Sequence, residues 1–329
     1  MRGAGEAGGR QTGRVTTYQK GLAEVGDGVW AWLQPDGGWG WSNAGLVTDG
    51  DAALLVDTLF DLRLTGEMLD AMARATPAAA RIGTVVNTHA NGDHCFGNQL
   101  AVGAEIVAST RAAEEMARQP AGALAAMMAA APTLGDVGAY LQRIFGAFNF
   151  DGITDVLPTR TFDGALELTV GDTAVRLWEM GPAHTGGDVV VEVPARRVVF
   201  SGDLLFIGGH PIVWEGPVSH WVEALDRILA MDVDAIIPGH GPVTDKAGVR
   251  ELRSYLVELE AAARPLWEEG LAPLEAARRL RIDRAAGWGE PERLVVNVTA
   301  CFRGFSSDTS RPDMATLFAQ MAALASDGT

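Results

Sequence analysis

Residues 87–94 read NTHANGDH, and they directly follow the apolar run IGTVV of residues 82–86. Two imidazoles, a carboxylate and a carboxamide therefore fall within residues 89–94, at the end of a predicted strand. Two of the six histidines of the chain lie here. Because folding alone seldom produces such a density of metal-ligating side chains, the stretch predicts a metal site.

The composition indicates a globular protein with an acidic surface. The 329 residues suffice for one large or two smaller domains, and the formal net charge is −16 with only two lysines, Lys20 and Lys246. Because this charge repels phosphate groups, we expect neither nucleic acid nor a membrane as a partner. No run approaches the roughly 20 apolar residues of a membrane-spanning helix. Residues 1–16 are predicted to be a disordered tail without a signal peptide's apolar core, which favours a cytoplasmic location.

Hydrophobic periodicity predicts alternating strands and helices. Short apolar runs predict strands at 29–33, 45–47, 52–56, 82–88, 105–108, 189–193, 198–200 and 235–237, with hairpin strands before Trp178. Helical spacing predicts helices at 63–74 and 221–231. Pro120 and Pro132 divide residues 110–148 into two or three helices. The region 249–329 is predicted to be mostly helical. We therefore predict one domain over residues 17–329, with a helical insert at about 110–148.

Four apolar strands lead, close to a glycine, into a residue that can bind a metal. The four positions are the 89–94 loop, His184, Asp203 and His240. Side chains at the ends of buried strands are held rigidly, as a metal site requires. If the strands belong to packed sheets, these ends can meet at one edge. Cys95 follows the loop, and we interpret it as a small buried residue rather than a ligand.

This order of motifs resembles the metallo-β-lactamase superfamily, whose motifs are an early Asp, a His-x-His-x-Asp-His loop, a later His, a bridging Asp and a final His. The corresponding residues are Asp57, the 89–94 loop, His184, Asp203 and His240. The resemblance covers about residues 29–242. It implies an α/β fold of the αββα sandwich type, with two packed sheets, helices outside and metals at one edge.

The resemblance also implies two metal positions. The first would be held by His89, Asn91 and His184. The second would be held by Asp93, His94 and His240, with Asp203 between the two. Asp57 is expected to support the loop by hydrogen bonding instead of binding metal.

Asn91 departs from the family's pattern, because a second histidine is expected there. A carboxamide oxygen is a weaker zinc ligand than imidazole. Three outcomes remain open: one metal in the second position, two metals with the first bound weakly, or chemistry other than hydrolysis. Alternatively, the Asn91 amide could donate a hydrogen bond to a developing oxyanion. Zinc is the expected ion, in one or two copies, although such sites also accept iron or manganese.

The resemblance implies metal-dependent hydrolysis of an ester, thioester or lactone by water activated at the metal, with Asp93 orienting that water. One alternative is a natural-product tailoring enzyme, such as a cyclase, decarboxylase or lyase, that uses the same site. A second alternative is a non-catalytic binding protein on this fold. A true β-lactamase is disfavoured, because those enzymes carry cysteine or serine at the position of Asp203.

Candidate substrate contacts lie outside the motifs. Trp39 and Trp41 follow Trp30 and Trp32 around a glycine-rich turn; they indicate either hairpin packing or an aromatic flap over the metal edge. Trp214 and His210 are further candidates, and His210 could instead replace the missing ligand or be a plain loop residue. We expect a small-molecule substrate with an apolar or aromatic part. The 110–148 insert could wall the substrate site or form a homodimer contact.

Overall fold

Two β-sheets carry the motif residues. The computed structural model describes residues 18–35, 38–308, 310 and 312–327. The tail predicted at residues 1–16 lies outside these ranges.

The first sheet has seven strands, which are neighbours in chain order. They are β1 (Gly21–Gly26), β2 (Val29–Leu33), β3 (Ala44–Asp49), β4 (Ala52–Val56), β5 (Thr84–Val86), β6 (Glu105–Ser109) and β7 (Arg160–Phe162). Strands β1 to β4 pair antiparallel, and β4 to β7 pair parallel. Parallel pairing places the carboxyl ends of β4 and β5, where two of the motifs begin, at the same edge.

The second sheet has five strands, again in chain order. They are β8 (Ala165–Val170), β9 (Thr173–Glu179), β10 (Val189–Val193), β11 (Val198–Phe206) and β12 (Ala235–His240). Strands β11 and β12 pair parallel, whereas the other pairs are antiparallel. The motif residues Asp203 and His240 therefore lie on adjacent parallel strands.

Ten α-helices are present among the described residues. They are α1 (Leu62–Ala75), α2 (Gly92–Cys95), α3 (Thr110–Arg118), α4 (Ala121–Ala130), α5 (Gly135–Phe145), α6 (Val218–Ala230), α7 (Lys246–Glu268), α8 (Pro273–Arg279), α9 (Leu294–Ser306) and α10 (Met314–Ser326). The residues predicted to form two or three helices form three, α3 to α5, and the last helix, α10, packs against α5. No helix in the described ranges is long and apolar enough to cross a membrane.

The two sheets face each other, and helices cover their outer faces. Along β3, Leu46 belongs to the core shared with α1, whereas Val47 belongs to the core between the sheets. This division follows from the alternation of side chains along a strand. The sheets approach so closely at Gly45 that a side chain there would collide with the ring of Phe200. This arrangement confirms the predicted αββα sandwich.

Strands β11 and β1 are among the elements that differ from the sequence-based prediction. Strand β11 continues past Phe200 to Phe206, so Asp203 lies inside a strand instead of following its end. Gly202 has a positive φ of 51° and pairs with Pro238 between two shifts of register against β12, and the pairing continues to Phe206 and His240. Strand β1 was not predicted, because its GLAEVG sequence has few apolar residues.

Candidate metal centre

The motif residues reach one edge of the sandwich from both sheets. His89 and Asn91 follow β5, and α2 carries Asp93 and His94. His184 follows β9 in the second sheet, and Asp203 and His240 lie on β11 and β12, as described above. The four segments predicted to meet therefore do meet.

The carboxylate of Asp203 is the centre of this cluster. Its Oδ2 lies 3.3 Å from Nε2 of His184, 3.4 Å from Nε2 of His240 and 3.7 Å from Nε2 of His89. Its Oδ1 lies 3.1 Å from Nε2 of His94. All five side chains are buried. Four imidazoles thus surround one carboxylate.

Three of these histidines have their Nδ1 atoms engaged on the side away from the cluster. Nδ1 of His94 lies 2.9 Å from Oδ2 of Asp57, and Nδ1 of His184 lies 2.7 Å from the carbonyl oxygen of Ile212. The carbonyl oxygen of Ile212 and the ionised carboxylate of Asp57 can only accept, so each imidazole in its neutral, metal-binding form carries its proton on Nδ1. The Nε2 lone pairs therefore point into the cluster.

His89 is oriented in the same way through one threonine. The hydroxyl of Thr88 donates to Oδ2 of Asp57 at 2.7 Å, so it accepts from Nδ1 of His89 at 3.0 Å. The backbone N–H of Thr88 also donates to Asp57, at 2.6 Å. Asp57 has a positive φ of 62°, which is uncommon for a residue with a side chain. Its geometry fits the supporting role that the resemblance implies.

The cluster atoms fit a metal ion. Nε2 of His89, Nε2 of His94 and Oδ1 of Asp203 are buried and have no hydrogen-bond partner. Buried polar atoms without a partner are rare, and one cation would satisfy all of these. Two groups, His89 with His94 and Asp203, and Asp93 with His94 and His240, have ligand atoms within 4.8 Å of one another. The site could therefore hold a metal ion.

Asn91 faces the same cluster. Its Oδ1 lies 2.7 Å from Nε2 of His184, and Nε2 is an acceptor when the proton is on Nδ1. Two acceptors at this distance repel unless a cation interacts with both. The amide oxygen is thus placed as a ligand atom would be.

The pKa values of the cluster residues shift in different directions. Burial acts to raise the pKa of Asp203, but the neighbouring His240, His94 and His89 outweigh it and hold that pKa well below its usual value. Burial lowers the pKa of His184 to about 4. For His240, the carboxylate of Asp203 outweighs burial and raises the pKa to about 9. The carboxylate at the centre is therefore ionised and suited to a cation.

A cavity of about 510 Å³ opens onto the cluster. The motif residues that line it are Asn91, Asp93, His184, Asp203 and His240. Most other lining side chains are apolar, and they include Trp39, Phe60, Phe96, Leu124, Met127, Phe145, Trp214 and Phe318. Four charged side chains also line it: Glu115, Arg118, Glu215 and Arg293.

Two of the four predicted substrate contacts line this cavity, and two do not. Trp39 and Trp214 line it, and their ring centroids are 6.3 Å apart. Trp41 is outside the lining and packs on Phe148 at 4.8 Å between centroids. His210 is also outside the lining; it is buried, and its Nδ1 lies 2.8 Å from the hydroxyl of Tyr255. Trp41 and His210 therefore lie outside the cavity wall, and Trp39 and Trp214 remain the predicted substrate contacts.

Several lining residues were not predicted from the sequence. Glu115 belongs to α3, Phe145 to α5 and Phe318 to α10, and Arg293 immediately precedes α9. No motif marks them, because they reach the cavity only through packing of distant helices. Cys95, by contrast, is buried as expected, and burial raises the pKa of its thiol well above the usual value.

The family model of the metallo-beta-lactamase superfamily matches residues 37–240. The chain belongs to this superfamily. The match includes every candidate ligand from His89 to His240, and it confirms the predicted family. The ligand roles of the individual residues, Asn91 included, stay predictions.

Curated relatives match over short stretches. The linear primary-alkylsulfatase of Pseudomonas sp. is 26% identical over 141 residues, which cover 39% of this chain and 26% of the relative. The alpha subunit of a 2,4-dinitroanisole O-demethylase of Nocardioides sp. is 31% identical over 25% of this chain and 26% of the relative. The hydroxyacylglutathione hydrolase of Brucella ovis is 34% identical over 25% of this chain and 32% of the relative. The matches thus span between 26% and 32% of these proteins.

Solved structures share the fold. The stereoselective inverting sec-alkylsulfatase from Pseudomonas sp. superposes with a TM-score of 0.66 at 17% identity, covering 91% of this chain and 52% of that one. A metallo-beta-lactamase from Pontibacter korlensis superposes with a TM-score of 0.54 at 20% identity, covering 72% of this chain and 99% of that one. At these identities the likeness shows the fold alone.

Proposed function

We propose that this protein is a metal-dependent hydrolase that cleaves an ester, thioester or lactone. The observation that carries the proposal is the convergence of three Nε2 lone pairs, on His89, His94 and His184, around the Asp203 carboxylate at a cavity. Membership of the superfamily supports it, as do relatives named as a hydrolase and as an alkylsulfatase.

The residues around Asp203 would hold the ion, for which we propose zinc, because imidazole and carboxylate together suit it; iron and manganese remain alternatives. Such an ion supplies Lewis-acid polarisation of a substrate carbonyl and a lower pKa for water. Among the supporting residues, Asp57, Thr88 and Ile212 fix the orientation of the imidazoles.

Asp93 is proposed as the group that orients the attacking water and accepts its proton. Its Oδ2 lies 3.3 Å from Nε2 of His240, and its side chain lines the cavity. Burial acts to raise the pKa of Asp93, but His94 and His240 outweigh it and lower that pKa. The carboxylate is therefore ionised at neutral pH and able to accept a hydrogen bond from water.

Asn91 is proposed as a weak ligand at the position shared with His89 and His184. Its oxygen is directed at Nε2 of His184, so the oxyanion-donor role would require the amide to turn over. A neutral amide oxygen binds zinc less strongly than imidazole does. We therefore propose a site in which one metal position is weaker than the other.

The cavity supports a small-molecule substrate with an apolar body. Rings of Trp39 and Phe145 meet edge to face at 5.9 Å between centroids, and Phe318 lies 6.5 Å from Trp39. Large rigid rings bury much apolar area at little cost in conformational entropy. Aromatic esters are therefore suitable first substrates.

The experiment is a turnover assay on zinc-reconstituted protein with matched phenyl ester, phenyl thioester and aryl lactone substrates. Mass spectrometry of the products should show the gain of one water, and chelation or the variant Asp203→Asn should abolish turnover. Asp226→Asn, which changes an exposed carboxylate paired with Arg253, is the control. Products that gain no water, or turnover that persists after chelation, would overturn the proposal.

A further inference from the structure

Arg293 is a cation buried in the wall of the cavity. It is 3% exposed and lies in the segment between Gly289 and α9. It lines the cavity together with Asp203 and His240. A guanidinium does not lose its proton in a protein, so this position carries a permanent positive charge. Burying such a charge is costly unless it is fully paired.

The pairing of Arg293 is incomplete. Its Nη1 donates to the carbonyl oxygen of His210 at 2.8 Å, whereas its buried Nε has no partner. The carboxylate of Glu290 lies 3.9 Å from Nη1, beyond hydrogen-bond distance. The adjacent Glu292 accepts instead from Nε1 of Trp39 at 3.2 Å and from Tyr140 at 3.3 Å. No carboxylate in the described ranges therefore forms a hydrogen bond with this guanidinium.

Aromatic rings hold the guanidinium beside the metal edge. Its Cζ lies 4.4 Å from the ring centroid of Trp39 and 5.4 Å from that of Phe206. Phe206 in turn stacks on the imidazole of His240, at 5.1 Å between centroids and 3° between planes. One ring therefore contacts both the cation and a candidate metal ligand. A substrate bound in this cavity can therefore reach both the guanidinium of Arg293 and the metal edge.

We propose that Arg293 binds an oxyanion of the substrate, a carboxylate or a sulfonate, while the aromatic wall holds the apolar body. The proposal rests on the proposed function, because it names the class of ester that the site accepts. The planar guanidinium fork matches such groups and is already oriented by Trp39. The substrate is then an ester of an aromatic or otherwise apolar molecule with a negative charge apart from the scissile bond. Arg293 therefore determines which substrates bind, and it takes no part in the cleavage step.

The direct test is ligand binding to metal-free protein, in which no cation at Asp203 competes for the anion. The probes are 2-naphthoate, 2-naphthalenesulfonate and the neutral 2-naphthamide, measured by titration calorimetry and by tryptophan fluorescence. We expect one or both anions to bind the wild type more tightly than the amide. Arg293→Met should weaken anion binding at least about tenfold and leave the amide unchanged.

Two further variants keep the result interpretable. Arg143→Met removes an exposed arginine that lies over the ring of Tyr140, and it should leave all three affinities unchanged. If Arg293→Met does not fold, Arg293→Lys should still lower the ratio of anion to amide affinity, because an ammonium lacks the planar fork. Equal affinities of wild type and the Arg293 variants for the anions would overturn the proposal. Wild-type binding of the amide as tight as that of both anions would also overturn it.

A turnover assay then distinguishes failure of the proposed role of Arg293 from failure of the proposed hydrolase function. Zinc-loaded wild type is assayed with 4-acetoxybenzoate and its neutral methyl ester. Arg293→Met should raise KM for the anionic substrate at least about tenfold, with kcat and the neutral ester little changed. A merely structural role would impair both substrates alike and would overturn the specificity role. If wild type hydrolyses no ester, the proposed function fails, while the metal-free binding data still decide the role of Arg293.

Discussion

Two kinds of buried histidine occur in this molecule, and their surroundings differ. At the metal edge, the Nε2 atoms of His89 and His94 have no hydrogen-bond partner and face the carboxylate of Asp203. His210 instead bonds Tyr255 and packs against Trp288, at 6.0 Å between ring centroids. Both kinds lie near glycines after apolar runs. The comparison teaches that a candidate metal ligand differs from a structural histidine by an unpaired lone pair that faces a carboxylate, which a sequence pattern does not reveal.

The largest effect is expected from removing a histidine of the first kind. His94 belongs to both groups of candidate ligands, so His94→Ala should abolish stoichiometric zinc binding and lower turnover at least about 100-fold. His210→Gln should keep its zinc. Elemental analysis and a turnover assay check both. Full zinc content in His94→Ala, or its loss in His210→Gln, would break the distinction.

A smaller effect is expected from Asp57, which supports the candidate ligands by hydrogen bonding. Asp57→Asn keeps the shape and tolerates the positive φ, but it removes the charge that orients His94. We expect zinc affinity to fall about 10- to 100-fold, measured by competition with a chelating dye. The exposed change Asp226→Asn is the control. An unchanged affinity would mean that Asp57 only shapes the loop.

His210 should be visible in the pH dependence of stability. Burial, with a smaller contribution from the charge of Arg293, lowers its pKa from 6.5 to about 4. In the unfolded chain the imidazole of His210 takes up a proton below about pH 6.5, whereas in the folded chain it does so only near pH 4. Acidification from pH 7 to 5 should therefore cost about 2 kcal/mol of unfolding free energy through this residue.

Denaturant unfolding at the two pH values checks this contribution. The loss of stability on acidification should be smaller in His210→Gln by that amount. His220→Gln changes an exposed histidine and serves as the control. An identical pH dependence in wild type and His210→Gln would show that His210 titrates normally in the folded protein.

The smallest effect is expected at Cys95, which adjoins the motif without belonging to it. Its Sγ lies 3.4 Å from the carbonyl oxygen of Asn91, and its raised pKa keeps the thiol protonated. Cys95→Ala should cost about 1 kcal/mol of stability and leave the zinc content unchanged. Loss of zinc, measured by elemental analysis, would make Cys95 a ligand after all.

Local chemistry explains what the sequence could predict. The strand before His89 and the helix over 63–74 follow from periodicity, and the family resemblance then brings together His184, Asp203 and His240. The pairing of Nδ1 atoms with Thr88 and Ile212 could not be predicted, because it depends on the path of the backbone. Equally, only the folded chain shows that His210 turns away from the cavity.

The full set of residues that line the cavity could not be predicted from the sequence either, because these residues meet only in the folded chain. Trp39 precedes β3, whereas Phe145 and Phe318 come from helices far along the chain, and Arg293 has no flanking motif. Each would be interpreted alone as an ordinary core or surface residue. Their meeting is a product of packing between the 110–148 insert and the C-terminal helices.

Asn91 is the point at which this chain departs from the family's pattern, and metal stoichiometry tests its place most directly. Wild type and Asn91→His are loaded with zinc, dialysed against metal-free buffer and analysed for zinc per chain. We predict one retained zinc in the wild type and two in Asn91→His, because imidazole restores the weak position. Identical stoichiometry in the two proteins would contradict the assignment of Asn91 to the metal centre.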